Sequence, residues 1–180
     1  MKSSLQVAQL SSEALAVEFF QQSAGNWHSQ RRYYSLNNGE VQEVVSSLSI
    51  EFLDRNSPHL CQLSQLHSLD DKTALIGGAK VAWQSHYVGP SRKPSTGSTV
   101  FGLKGTTLYR DRGFATNQPI IAQFYCPHPR TLCLRTEYAG SLFEEELKLI
   151  GTNYRTRQTI ISRAGQEQTI GQYLEKRICA

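Results

Sequence analysis

The chain has 180 residues and a mass of 20.2 kDa, the length of one domain and enough to bury roughly 70% of the surface its unfolded form exposes. An apolar fraction of 39% and a mean hydropathy of −0.41 exclude a helical integral membrane protein, since no stretch approaches about 18 uncharged apolar residues. The net charge of +4, a pI of about 8.9 and the lack of a basic tail exclude a dedicated nucleic-acid binder and favour an acidic partner or an anionic ligand.

In chain order, the first predicted element is a helix over Ser11–Ser23, with residues 1–10 expected to be flexible. Leu15 and Phe19, and Ala16 and Phe20, form apolar pairs one helical turn apart. Ser11 or Ser12 can cap its start, and Gly25 can stop it by taking a positive φ. Strands are predicted over His28–Leu36 and Val41–Leu53, joined by Asn37-Asn38-Gly39, whose residues tolerate the left-handed backbone of a tight hairpin turn. A short helix is predicted over Pro58–His67, with Ser57 as cap, Pro58 at the first helical position, and Leu60, Leu63 and Leu66 periodic behind it. A strand over Ala79–Val88 and a Pro-containing loop over Gly89–Gly97 follow.

Short strands then recur at Ser98–Leu103, Thr106–Arg110, Pro119–Cys126, Thr131–Tyr138, Ser141–Ile150, Asn153–Ser162 and Gln168–Ile178, with Gly or Pro in the turns. Eight to ten evenly spaced strands after one helix form the pattern of an up-and-down antiparallel barrel. A barrel of that strand number can enclose one small ligand. Neither an internal repeat nor a linker divides the chain, so residues 1–180 read as one domain. Met1–Gln22 carries no continuous apolar run of the kind a secretory leader needs. Cys61, Cys126, Cys133 and Cys179 form no metal-binding spacing, so free thiols in a reducing compartment are expected, and no metal.

Arg155, Arg157 and Thr159 share one face of a predicted strand, because alternate side chains point the same way. Facing water they form a polar surface. Facing inward they need carboxylates, because a buried unpaired charge is costly; a ligand with two acidic arms would supply them, each guanidinium gripping one bidentately. On the first strand, Arg31 shares a face with Trp27, Ser29 and Tyr33, and Arg32 with His28 and Tyr34. Trp83 lies mid-strand, either as core or as a stacking surface for a conjugated ligand. Glu144-Glu145-Glu146 is a solvated edge unless Glu145 faces a dry pocket, where it could act on a proton. Among the serines, cysteines and histidines no nucleophile constellation appears.

The run Phe19–Arg31 resembles the opening signature of the S/U-type phycobiliprotein lyases, the CpcS/CpeS chromophore lyase family. The likeness continues in Gly78–Trp83, Gly97–Val100, Leu108–Ala115, Leu132–Tyr138, Glu144-Glu145 and Arg155-Thr156-Arg157. It implies a mostly β, lipocalin-like or fatty-acid-binding-protein-like barrel with an N-terminal α-helix. It also implies an activity: a linear tetrapyrrole (a bilin such as phycocyanobilin or phycoerythrobilin) is bound as substrate and joined by a thioether to a cysteine of a phycobiliprotein apo-subunit. No prosthetic group, nucleic acid or membrane is implied. A second S-type lyase chain or a homodimer are the partners it suggests, in the cyanobacterial cytosol or plastid stroma.

By residue, the resemblance makes Arg31, Trp83, Arg157 and Thr159 ligand-binding, with Tyr34 where the family often has a histidine. Glu145 and Arg155 would act in transfer. A hairpin about Gly151 is expected to make Glu145 and Arg155 neighbours across one strand pair. Two other readings are a bilin carrier that transfers nothing and a U-type subunit that works only beside an S-type chain.

Overall fold

The computed structural model describes residues 4–89 and 93–179, with the side chains of 4–11 excepted. Helix α1 spans Ser4–Ser23, and strands β1 (Gly25–Ser35) and β2 (Val41–Asp54) follow it. Helix α2 (Pro58–Leu66) precedes β3 (Gly77–Tyr87), β4 (Ser95–Lys104) and β5 (Thr107–Arg110). The chain continues through β6 (Ile120–His128), β7 (Thr131–Tyr138), β8 (Ser141–Ile150), β9 (Tyr154–Arg163) and β10 (Gln166–Ile178). Every neighbouring strand pair is antiparallel, and β1 pairs with β10 to close a ten-stranded barrel.

The mostly β, up-and-down barrel with an N-terminal helix is therefore observed. Helix α1 begins at Ser4, earlier than the expected Ser11. The expectation of flexibility at residues 1–10 falls partly on residues 1–3, outside the described ones. The middle of the Gly89–Gly97 loop, 90–92, also lies outside them, while Ser95–Gly97 belongs to β4. Gly25 does stop α1 with φ +126°, and at once begins β1. The indole Nε1 of Trp27 donates to the carbonyl of Ser23 at 2.9 Å, tying the helix end to the first strand.

Alternation along the strands sends one face inward, where Leu48, Ile50, Leu108, Phe124 and Leu132 form the core. Helix α1 lies across one mouth, touching β2, β3, β4, β6 and β7. Its Ala16, Phe19 and Phe20 are buried against the barrel interior, as the helical pairing required. Helix α2 packs outside, where Leu60 and Leu63 meet Leu53 and Leu75. Gly78 and Gly102 permit this approach, since a Cβ on Gly102 would lie 2.6 Å from Leu75 and 3.0 Å from Leu63. Ser57 caps α2 by position only, without a side-chain hydrogen bond, and Leu66 is exposed rather than packed.

Candidate ligand-binding site

The barrel interior holds a cavity of about 380 Å³, within the range of small-molecule sites. Phe19 and Phe20 of α1 line it from one end. The segment between β5 and β6 contributes Gly113, Phe114, Ala115, Thr116 and Asn117. Two walls of opposite character face each other. Leu48, Val81, Trp83, Phe101 and Leu132 make one wall apolar, while Arg31, Tyr173, Arg157, Arg155 and Glu145 make the other polar, with Leu147 beside Arg157.

Register builds the polar wall. Arg31 of β1 faces Tyr173 of β10, which faces Arg157 of β9. One step along, Ser29 faces Glu175, which faces Arg155. Arg155 therefore points inward, but its Nε donates to the Glu175 carboxylate, both side chains being nearly fully buried. Glu175 also accepts from the Ser29 hydroxyl at 3.3 Å, and the Ser29 oxygen accepts from Arg31 Nε at 3.2 Å. The arginine–arginine face is thus neutralised in part by the chain's own carboxylates.

Arg157 donates through Nε to Glu145 Oε1 at 2.8 Å, and its Nη2 meets the same oxygen. Both contacts fall on Oε1, so the buried Oε2 has no hydrogen-bond partner, and neither does the buried hydroxyl of Thr159 opposite Glu145. Burial opposes the Arg157 charge, yet the Glu145 carboxylate and Tyr173 hold its pKa above the ordinary arginine value. Tyr173 lies between Arg31 and Arg157, whose guanidinium carbons sit 5.1 and 5.0 Å from its ring centre. Burial pushes its phenol up, so it stays a neutral donor, with its oxygen 2.9 Å from that of Tyr33.

Five arginines (Arg31, Arg110, Arg112, Arg155 and Arg157) line the cavity, and Glu145 and Glu175 pair two of them. The cavity therefore carries an excess of three positive charges, those of Arg31, Arg110 and Arg112.

Trp83 lines the apolar wall opposite Gly97 of β4. A Cβ on Gly97 would lie 2.5 Å from the indole Cζ2, so the ring lies on the glycine backbone. Gly97→Ala is expected to push the indole from its seat and to destabilise the fold by ~1–3 kcal/mol, the usual cost of overpacking. A urea melt read through tryptophan fluorescence measures this, and an unchanged midpoint would show that the indole has room to move.

The structure thus brings Arg31, Trp83, Glu145, Arg155 and Arg157 to one cavity, with Thr159 buried beside Glu145. It does not bring Tyr34. That side chain has the parity of the exposed Arg32, with which it hydrogen-bonds, and the cavity-facing phenol is Tyr33. The proximity of Glu145 and Arg155 is also corrected. The turn at Gly151 sets Leu149 against Arg155 and Glu145 against Thr159, so Glu145 reaches Arg157 diagonally while Arg155 turns to β10.

Sequence reasoning missed Glu175, Arg110 and Tyr173. The parity of Arg110 with Leu108 was a usable signal, whereas Glu175 has none without the β9–β10 register. None of the four cysteines lines the cavity. Burial raises the thiol of Cys133, and that of Cys126 to about 11, so both stay protonated.

A closed barrel around an amphiphilic, cationic cavity defines a small-ligand-binding barrel. Comparison with known proteins places it further: the chain belongs to the CpeS-like protein family, whose model matches residues 16–178. It is 56% identical, over 99% of both chains, to the Nostoc sp. protein named "Putative phycocyanobilin lyase CpcS 2". It is 49% identical to the Picosynechococcus sp. protein named "Putative chromophore lyase CpcV", over 93% of this chain and 83% of that one. The solved S-type phycobiliprotein lyase CpeS of Guillardia theta superposes with a TM-score of 0.78, covering 99% of both chains at 19% identity, which shows the shared fold.

Proposed function

We propose that this chain binds phycocyanobilin in the barrel cavity and joins it, through a thioether, to a cysteine of a phycobiliprotein subunit. The observation that carries this reading is the excess of three positive charges in a cavity whose apolar wall bears Trp83. A bilin is a flat conjugated chain with two propionates, and it meets both requirements. Trp83 stacks on a pyrrole ring. The free Oε2 of Glu145 accepts from pyrrole N–H groups, and the Thr159 hydroxyl lies beside it. Arg31 and Arg157 face the carboxylate side, and Arg155 holds the Glu175 end of the polar wall.

The nucleophile in this reading is the client's thiolate, which suits a cavity without a thiol. The sulfur bonds to the ethylidene carbon of ring A, the exocyclic double bond is consumed, and the proton lost by the thiol is matched by one gained at the adjacent ring carbon. The barrel's share is to hold one face of the ethylidene toward the client and to stabilise positive charge on the protonated tetrapyrrole. Positioning of this kind can supply several orders of magnitude in rate. The named relatives are cyanobacterial, and no helix among the described residues is long and apolar enough to cross a membrane. The cytosol, where apo-subunits are made, is the proposed compartment.

The test mixes phycocyanobilin, an apo-subunit and this chain, with and without an S-type partner chain, and follows covalent pigment on denaturing gels. Pigment attachment that depends on this chain supports the reading, and a requirement for the partner makes the chain one subunit of the lyase. A variant with all four cysteines changed to Ala should fold and retain transfer. Bilin absorbance and tryptophan emission that do not change on titration would overturn the reading.

A further inference from the structure

Arg110, the last residue of β5, differs from the other deeply buried cations. Arg155 and Arg157 each hold a carboxylate, but Arg110, 7% exposed, makes no ion pair among the described residues, and its Nε has no hydrogen-bond partner. Its guanidinium sits between two rings, 4.7 Å from the centre of Phe101 and 4.9 Å from that of Phe114. Glu145 and Asp111 act on it electrostatically, but neither carboxylate forms an ion pair with it. Glu145 Oε1 is taken by Arg157. Asp111 accepts from the Thr99 hydroxyl at 2.7 Å and from the Val100 amide at 3.0 Å. Burial drives the guanidinium's pKa down to about 10, which leaves it charged at neutral pH but poorly compensated.

Its backbone is held in place. The Arg110 carbonyl lies 2.8 Å from His67 Nε2, and the His67 ring packs edge-on against Tyr109. A planar cation fixed between aromatic faces, lining a cavity and lacking an acid, is arranged to receive a carboxylate in its fork.

We propose that Arg110 is the carboxylate anchor of the cavity, gripping one propionate of the bound bilin while Phe101 and Phe114 flank the contact. This rests on the bilin reading above. The polar groups then have separate roles. Glu145 meets the nitrogens, and Arg110, across from the β8–β10 wall, fixes how far along the cavity the tetrapyrrole sits.

Two measurements test it. The first needs no ligand. Arg110→Met keeps the aliphatic bulk and removes an uncompensated charge, so the unliganded variant is expected to melt a few degrees above wild type. The second titrates phycocyanobilin and its dimethyl ester. Wild type is expected to prefer the free acid by about ten-fold or more, the scale of a hydrogen bond to a charged group. Arg110→Met is expected to lose most of that preference with its ester affinity unchanged, and Arg110→Lys to keep part of it.

A variant that melts below wild type, or one that retains the full preference for the acid, overturns the assignment. Wild type that binds neither acid nor ester overturns the tetrapyrrole reading, and the unliganded melt then still decides whether Arg110 is a strained cation or a structural one.

Discussion

Glu145→Gln is expected to bind phycocyanobilin within a few-fold of wild type and to transfer it ~10²-fold more slowly, the low end for acid–base and charge assistance. Glutamine keeps an oxygen for Arg157, so the strand pair β8–β9 and the cavity shape survive. What is lost is the negative charge carried by Oε2, which no group of the protein satisfies. A carboxylate beside the tetrapyrrole nitrogens favours their protonated form, which is the more electrophilic one toward the sulfur, so its loss slows transfer more than it weakens binding. Single-turnover transfer to an excess of apo-subunit, set beside an absorbance titration, separates the two quantities. Equal losses in both would make Glu145 a ligand-positioning residue.

The second large effect is on stability. Glu175→Ala leaves the Arg155 guanidinium unpaired in a site where the two side chains are 1% and 7% exposed. Removing one partner of a buried pair costs ~3–5 kcal/mol, because the remaining charge keeps its desolvation penalty. The Ser29 hydroxyl, which accepts from Arg31, loses its acceptor as well. The double variant Glu175→Leu, Arg155→Met should recover most of the loss, since a well-packed apolar pair can replace a buried ionic one. Denaturant melts of the three variants decide this. A single variant as stable as wild type would mean that water reaches Arg155.

The architecture was legible in the sequence because its punctuation is local. Asn38-Gly39, Gly140, Gly151 and Gly165 mark the tight turns, and all four of these glycines take positive φ. Between them, alternation placed Arg155, Arg157 and Thr159 on one face of β9 but left open whether that face meets water or the interior; closure of the barrel turns Arg155 and Arg157 to the cavity. On β1 the same alternation places Arg31 with Tyr33, while the family pattern pointed to Tyr34; the pleat prevails, because a residue one position along a strand faces the other way. Pairings between strands were less legible. Which carboxylate meets which guanidinium depends on a register set by turn length and by a bulge at Glu167/Thr169, and a shift of two residues would exchange the partners. Arg110 lies within the family-like run Leu108–Ala115, but its lack of an acid is a property of the assembled cavity that no spacing encodes.

The β1–β10 seam has a consequence for how the protein comes into being. The polar wall draws Arg31 from β1, Tyr173 and Glu175 from β10, and Arg155 and Arg157 from β9. Contacts this distant in sequence form late, since the intervening chain must be ordered first. On the ribosome the apolar wall can assemble while β9 and β10 are still being made, so a nascent chain passes through a stage with a greasy trough and no charge pattern to select its cargo. Discrimination arises only when the seam zips. A ligand that bridges both walls then shifts the equilibrium toward the closed barrel by mass action, so abundance of the folded protein in the cell should track supply of the pigment.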